Sequence, residues 1–328
     1  MSRCCFLSSC SDPFLTLLSL KLFQEKYYDE VDKFYININN HASVPQDVIG
    51  ETLKRLSQDK KVHIVYHPEG IGNSDTISEL AKISKEDLVM FLEEDFYIFQ
   101  SGIVDSYFKK IESGECDLLG SPRYTHGEVA DVAQKKYNLD YSGVGDRGFA
   151  WWPSFFFCKR EDLLKTDMDF GSKKYNKGEY FKELDHTFIE DAHTDTFAWT
   201  SIQMRHMGLR SIYIPQHHAS PTEAEDKRAR TVNWINGNSP PYIHAGSLSS
   251  GWGGYLSGQL PDVSTDGAKQ EIETRVAWWS IAENAICGFD SFRTEYEKGL
   301  DNLVIGANLD MDRIQAKYDL YRNLLKIT

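Results

Sequence analysis

Asp87-Leu-Val-Met-Phe-Leu-Glu-Glu-Asp-Phe-Tyr-Ile-Phe99 is the stretch from which the rest of the chain is read. Residues 88–92, behind Asp87, are an apolar run of strand length. Glu93-Glu94-Asp95 follow at once, with a second apolar run, Phe96 to Phe99, behind them. A strand with no polar alternation is buried on both faces, as inside a parallel sheet. Three acids closing such a strand lose hydration and repel one another unless a cation compensates them. Side chains at i and i+2 of an extended segment point the same way, so Glu93 and Asp95 are predicted to share one hard divalent ion. The competing reading is a solvated acidic turn.

Upstream, the pattern predicts three more strands with helices between them. Arg3 to Leu7 is a short apolar strand, Ser8 to Pro13 a turn, and Phe14, Leu17, Leu18 and Leu22 recur at helical spacing. Lys33 to Asn39 is the second strand, Pro45 to Leu56 a helix, and Val62 to Tyr66 the third strand. Gly70, Gly72 and Asn73 form a loop, with Ser74 expected to cap a helix over Asp75 to Ile83. Four strands separated by helices predict a mostly parallel sheet with ligands at its carboxyl ends.

Downstream, a helix is expected over Ser106 to Ser113 and a strand over Cys116 to Leu119. A glycine-rich loop from Gly120 to Gly148 leads into the aromatic strand Trp151-Trp-Pro-Ser-Phe-Phe-Phe-Cys158. Then come a helix from Lys159, a basic loop from Gly171 to Glu179, and Phe188 to Asp195. A helix over Thr196 to Met207 stops at Gly208, and a strand over Arg210 to Ile214 ends at Pro215. Asn236 to Gly258 is rich in Gly, Ser and Pro around His244, and helical periodicity returns from Ala268.

Lys and Arg number 36 against 49 Asp and Glu, a net charge of −13. That excludes a protein held on nucleic acid by a broad positive field, since counterion release needs clustered cations. A hydrophobic share of 41% beside 26% charged residues excludes a disordered or fibrous chain. The cysteines at 4, 5, 10, 116, 158 and 287 include no CxxC pair and no zinc-finger spacing, so they are expected to be reduced thiols. Arg3 followed by CCFLSSCSDPFLTLLSLKLF looks faintly like a signal peptide, but Asp12 and Pro13 interrupt the apolar run. No stretch nears the roughly 20 apolar residues that span a bilayer. A cytoplasmic protein without a membrane span is expected.

Together these elements resemble a glycosyltransferase of the GT-A fold, in the style of family 2, over roughly residues 1–220. Four features carry the resemblance. The run Phe91-Leu92-Glu93-Glu94-Asp95 stands where such enzymes have their D-x-D motif, with Glu as the first acid. The Gly70, Asn73, Ser74, Asp75 loop and helix lead into that strand. The aromatic strand from Trp151 to Phe157 opens what would be the acceptor half. Glu190-Asp191, Asp195 and Gly208-Leu-Arg-Ser-Ile-Tyr-Ile-Pro215 follow the family's order of acid pair, helix, Gly, strand and Pro. The resemblance implies a Rossmann-like, mostly parallel α/β sheet flanked by helices, with a helical carboxyl extension. It divides the chain into a donor-binding half at 1–120, an acceptor-binding and catalytic half at 121–265, and the extension at 266–328.

The activity implied is metal-dependent transfer of a sugar from a nucleotide sugar, UDP-sugar favoured, to a hydroxyl, with inversion. Asp95, with Glu93, would hold Mn2+ or Mg2+, which suit oxygen ligands. A late histidine is implied as a further ligand, from among His217, His218 and His244, with His244 favoured over His218. Ser8, Ser9 and Asp12 are where base and ribose contacts are implied, and Asn73, Asp75, Glu93 and Glu94 are counted with the donor site. Gly246 and Ser247 are small enough for backbone amides to approach a diphosphate. Trp151 and Trp152 are candidates for stacking on a sugar, one of them expected in the core because strand neighbours face opposite ways. Attack by a hydroxyl needs a carboxylate base: Asp195 first, then Asp191, with Glu190 in the same set. The competing role of each Asp is a helix cap.

The acceptor is a glycan or, as a second option, a hydroxymethylated DNA base, which Lys173, Lys174 and Lys177 with Lys227, Arg228 and Arg230 would grip by its phosphates. A catalytically silent sugar- or nucleotide-binding module is the alternative to an enzyme. A nucleotidyltransferase is disfavoured, since Ser8 to Pro13 holds neither a glycine nor a basic residue.

Overall fold

The computed structural model describes residues 1–10, 13–39, 46–123, 127–137, 150–214 and 240–244, and isolated positions between 284 and 294. Asp12, His217, His218, Gly246 and Ser247, the cluster Lys227, Arg228 and Arg230, and nearly all of 266–328 lie outside the described residues, as does the side chain of Ser9.

The amino-terminal part alternates as its sequence pattern predicts: β1 (Arg3–Cys10), α1 (Pro13–Leu22), β2 (Lys33–Asn39), α2 (Gln46–Leu56), β3 (Val62–His67), α3 (Asn73–Ile83) and β4 (Leu88–Glu93). Next come β5 (Phe96–Ile98), α4 (Ile103–Glu112), β6 (Leu118–Arg123), α5 (Glu128–Lys136), β7 (Ala150–Lys159) and α6 (Arg160–Leu164). Short strands β8 (Lys173–Tyr175), β9 (Tyr180–Phe181), β10 (His186–Thr187) and β11 (Ala192–Thr194) precede α7 (Ala198–His206) and β12 (Ser211–Tyr213), and β13 is Tyr242–His244. Among the described residues, no helix is long and apolar enough to cross a membrane.

Among the described residues, seven strands form the central sheet in the order β12-β6-β7-β4-β1-β2-β3. All neighbours pair in parallel except β7, which runs against both β4 and β6. This is the mostly parallel, helix-flanked α/β sheet that the resemblance implies. β1 and β4 lie side by side at its middle, and their register places Ser8 opposite Glu93. The carboxyl ends of these two strands therefore meet at one point of the edge, where parallel sheets gather ligands.

Alternation along β4 sends its side chains to two cores. Leu88, Met90 and Leu92 pack with Phe34, Phe108, Phe155 and Phe157 on one side, and Val89 and Phe91 with Phe6, Phe156 and Phe197 on the other. A third, smaller core joins α5 to residues 175–202 through Val129, Ala133, Tyr175, Phe181, Phe188 and Ile202. Burial of each such side chain stabilises by about 1.5–3 kcal/mol relative to exposure. Cys4, Cys5, Cys116 and Cys158 are buried free thiols, and burial pushes all four above the usual thiol range, Cys116 to about 11.

Three local expectations are corrected. The stretch expected as a glycine-rich loop from Gly120 carries the end of β6 and all of α5. The sixth strand begins at Leu118 and runs through Arg123, two residues beyond the expected Cys116 start, because its edge partner β12 pairs from Leu118 onward. Ser74 does not cap α3: the helix begins at Asn73, the cap position is Gly72, and the Gly72 carbonyl accepts the Thr76 N–H at 3.0 Å.

β6 and β7 slip register between Gly120 and Pro122. A Cβ on Gly120 would lie 2.7 Å from Phe156 Cδ2, 3.1 Å from Trp151 Cδ1 and 3.3 Å from the Phe155 carbonyl oxygen. The close approach lets Trp151 tuck against the sheet. Gly120→Ala is expected to cost about 1–3 kcal/mol through overpacking, read as a lower urea midpoint with unchanged slope. A wild-type midpoint would show that Phe156 and Trp151 yield freely.

Candidate metal centre

The acids that close β4 separate by strand alternation. Glu93 is the last residue of β4, and its side chain is 18% exposed. Asp95 sits in the turn before β5 with its side chain 5% exposed. Glu94, between them, turns the other way and is fully buried against α1. The Thr16 hydroxyl donates to its carboxylate at 3.4 Å, and the Ser19 hydroxyl to its main-chain carbonyl at 3.4 Å. Alternation points Glu94 under α1, away from its two neighbours.

The third member arrives from far along the chain. β13 pairs antiparallel with β5, setting His244 opposite Phe96, Ile243 opposite Tyr97 and Tyr242 opposite Ile98. Tyr242 is buried in the core beside Phe155, their rings 4.7 Å apart, and the Pro241 carbonyl accepts the Phe99 N–H at 2.9 Å. So anchored, the ribbon brings His244 Nε2 to 3.3 Å from Asp95 Oδ1 and 3.6 Å from Glu93 Oε2. One ligand atom from each of the three residues lies within 4.8 Å of the other two. Two carboxylates and an imidazole, nearly shut off from water, form a donor set that suits a divalent cation. The negative charge of the acids gives the reason: one imidazole offsets at most one of them.

The other expected site residues take distinct positions. Ser8 is buried beside Glu93. Asn73 and Asp75 stand on the first turn of α3, and the buried Asn73 side-chain oxygen has no hydrogen-bond partner among the described residues. Of the two tryptophans, Trp151 is the one that enters the core. It is fully buried, its ring 5.7 Å from Phe156 and 6.0 Å from Tyr213, with the Arg205 guanidinium 4.3 Å above it. Trp152 is half-buried and meets His244.

Asp195 is exposed, two residues ahead of the α7 cap position, which is Phe197. Its carboxylate accepts the Thr196 N–H at 2.7 Å, and its carbonyl accepts that of Ala198 at 3.2 Å. Phe197 has φ +68°, a left-handed conformation costly for a non-glycine residue and held only where surroundings impose it. Here they do: its ring is buried 5.6 Å from Phe91, 5.0 Å from Phe156 and 5.6 Å from Phe170. Phe91 is two residues before Glu93 and Phe197 two after Asp195, so this contact ties the start of α7 to the strand that carries the acids. The Asp191 carboxylate accepts the Lys177 N–H at 2.8 Å, and Glu190 is exposed. Lys173 is paired with Asp169 and lies over the Trp199 ring.

Glu128, which the sequence pattern did not single out, holds the Glu190–Asp191 segment. It opens α5 with its side chain 8% exposed, and its carboxylate accepts from the Ile189 N–H at 2.8 Å, the Glu190 N–H at 3.2 Å and, when that nitrogen is protonated, His186 Nε2 at 2.5 Å. Burial opposes its charge, yet these donors hold its carboxyl below the usual range. Glu128→Ala is expected to speed exchange of the Ile189 and Glu190 amides roughly tenfold while β4 amides keep their protection, read by hydrogen exchange. Unchanged rates at 189 and 190 would contradict that role.

No protein-family model matches the sequence, and no curated protein matches it. Solved structures are similar to it. The mannosyltransferase PcManGT from Pyrobaculum calidifontis, in complex with GDP-Man and Mn2+, aligns with a TM-score of 0.44 at 10% identity, over 99% of this chain and 84% of that chain. TarS 1–349 from S. aureus aligns at 0.41 and 11% identity, over 92% of each chain. Glucosyl-3-phosphoglycerate synthase from Mycobacterium tuberculosis, in complex with Mn2+ and UDP-Glc, aligns at 0.37 and 13% identity over 50% of this chain and 58% of that one.

Proposed function

We propose that this chain is a divalent-metal-dependent glycosyltransferase that moves a sugar from a nucleoside-diphosphate sugar, a UDP-sugar first, to an acceptor hydroxyl with inversion. One observation carries the reading: Glu93, Asp95 and His244 converge where the central strands of a mostly parallel sheet end. Glu93, Asp95 and His244 would hold a divalent ion, which would supply a Lewis acid to offset charge on the departing diphosphate.

The chain's own groups do the rest. Asn73 and Asp75, on the first turn of α3, and Ser8, beside Glu93, are assigned to the donor. Asp195 is assigned as the base: its exposed carboxylate takes the proton of the acceptor hydroxyl as that oxygen bonds to the anomeric carbon and the carbon–diphosphate bond breaks. Asp191 ranks second, since it lies farther along the chain from the start of α7 than Asp195 does. A glycan is the acceptor favoured over a hydroxymethylated DNA base, because Lys173 is neutralised by Asp169 and the net charge is −13.

A screen of UDP- and GDP-sugars for nucleoside diphosphate release tests the reading. Release that requires Mn2+ and disappears in Asp95→Asn supports it. Mn2+-dependent binding of UDP without release of product from any donor would favour a silent binding module instead. For the acceptor, product formation that collapses with rising salt on a hydroxymethylated duplex would move the choice to DNA.

A further inference from the structure

The His244 imidazole is walled by two aromatic rings. Trp152 lies 5.3 Å away, centre to centre, at an interplanar angle of 69°, and Phe96 lies 6.1 Å away at 31°. Phe96 faces His244 as its pairing partner on β5. Trp152 comes from the start of β7, and its neighbour fixes where it points. The Trp151 N–H donates to the Ser201 hydroxyl at 3.2 Å, and the Trp151 ring is fully buried under Arg205. Adjacent strand residues face opposite ways, so a locked Trp151 sends Trp152 out of that core and onto the imidazole.

An imidazole unconstrained by neighbours turns through a broad range about its outer torsion. His244 does not have that freedom, and the orientation it keeps points Nε2 at both Asp95 and Glu93. A ring turned about that torsion would offer a carbon or the other nitrogen. Edge-to-face packing fixes a ring plane in a way that a flexible aliphatic chain does not.

We propose that Trp152 is a positioning residue of the metal centre, its ring holding the His244 imidazole so that Nε2 meets the same cation as Glu93 and Asp95. The proposal rests on the metal reading of that cluster. It gives Trp152 a role other than stacking on a sugar. Neighbours that orient a metal ligand commonly change affinity about 10–100-fold when altered.

The test uses the full chain and Mn2+ alone, with free Mn2+ followed by its paramagnetic resonance signal. Trp152→Leu keeps apolar bulk without a flat ring and is expected to bind Mn2+ about tenfold more weakly at an unchanged melting temperature. Trp152→Phe restores a ring and should stay within about threefold of wild type. Mn2+ should also quench the Trp152 emission, obtained as wild type minus Trp152→Phe, and that measurement needs only variants that fold. Wild-type affinity in Trp152→Leu, or no quenching of the Trp152 component, overturns the positioning role and leaves the metal reading standing. No Mn2+ binding by the wild-type protein removes the metal reading itself, and this proposal with it.

Discussion

Asp95→Asn is expected to weaken Mn2+ binding by about 100-fold or more, beyond the 10–100-fold typical of changes around a ligand set. Asn keeps the shape and one acceptor oxygen but removes the charge. Asp95 is the most enclosed of the three side chains, 5% exposed against 7% for His244 and 18% for Glu93. A buried carboxylate beside another is held at a cost that a bound cation relieves. The metal-free variant should therefore melt no lower than wild type, since one of two mutually repelling charges is gone. That combination separates a ligand from a structural residue. Equal Mn2+ affinity by isothermal titration in the two proteins would contradict the assignment, as would a large fall in melting temperature that accounts for the lost binding.

Phe91→Ala should produce the largest loss of stability, about 3–5 kcal/mol by urea unfolding. Phe91 is fully buried at the middle of the sheet. Its ring lies 5.3 Å from Phe6 on β1, 5.7 Å from Phe156 on β7 and 5.6 Å from Phe197 at the start of α7. Its removal leaves a cavity bounded by strands on both sides, which cannot close without parting the sheet. The cavity also removes the support that holds Phe197 at φ +68°, so the turn carrying Asp195 should loosen. Hydrogen exchange at Thr196 and Phe197 should rise more than at β2 or β3. A loss under 1 kcal/mol would show that this aromatic cluster does not bear on the sheet.

The sheet was legible where physics acts locally. β1 to β4 read as strands because each is an apolar run of the right length between turn residues, and the acids closing β4 stood out because charge is expensive at the end of a doubly buried strand. The direction of Glu93 and Asp95 followed from the period of two, which also turns Glu94 away under α1. What the pattern did not reveal depends on distant pairing. β5 and β13 have three residues each and lie more than a hundred residues apart in sequence; nothing local in Pro-Pro-Tyr-Ile-His distinguishes a strand from a loop. His244 was therefore reached through resemblance, whereas the ribbon that delivers it was not foreseen.

The same limit explains the tryptophans. Alternation says that Trp151 and Trp152 diverge, but the register slip at Gly120 and Pro122 decides which of them enters the core. Glu128 was invisible for another reason. Its partners are main-chain N–H groups about sixty residues away, and every residue except proline has one.

The central claim is that Glu93, Asp95 and His244 seat a cation against a diphosphate. Crystals grown with Mn2+ and UDP, with data collected at the manganese absorption edge, test it most directly. A single strong anomalous peak is expected about 2 Å from an oxygen of Glu93 or Asp95 and from His244 Nε2, touching the UDP phosphates. Manganese found elsewhere, or UDP bound with its phosphates remote from these three side chains, would contradict it.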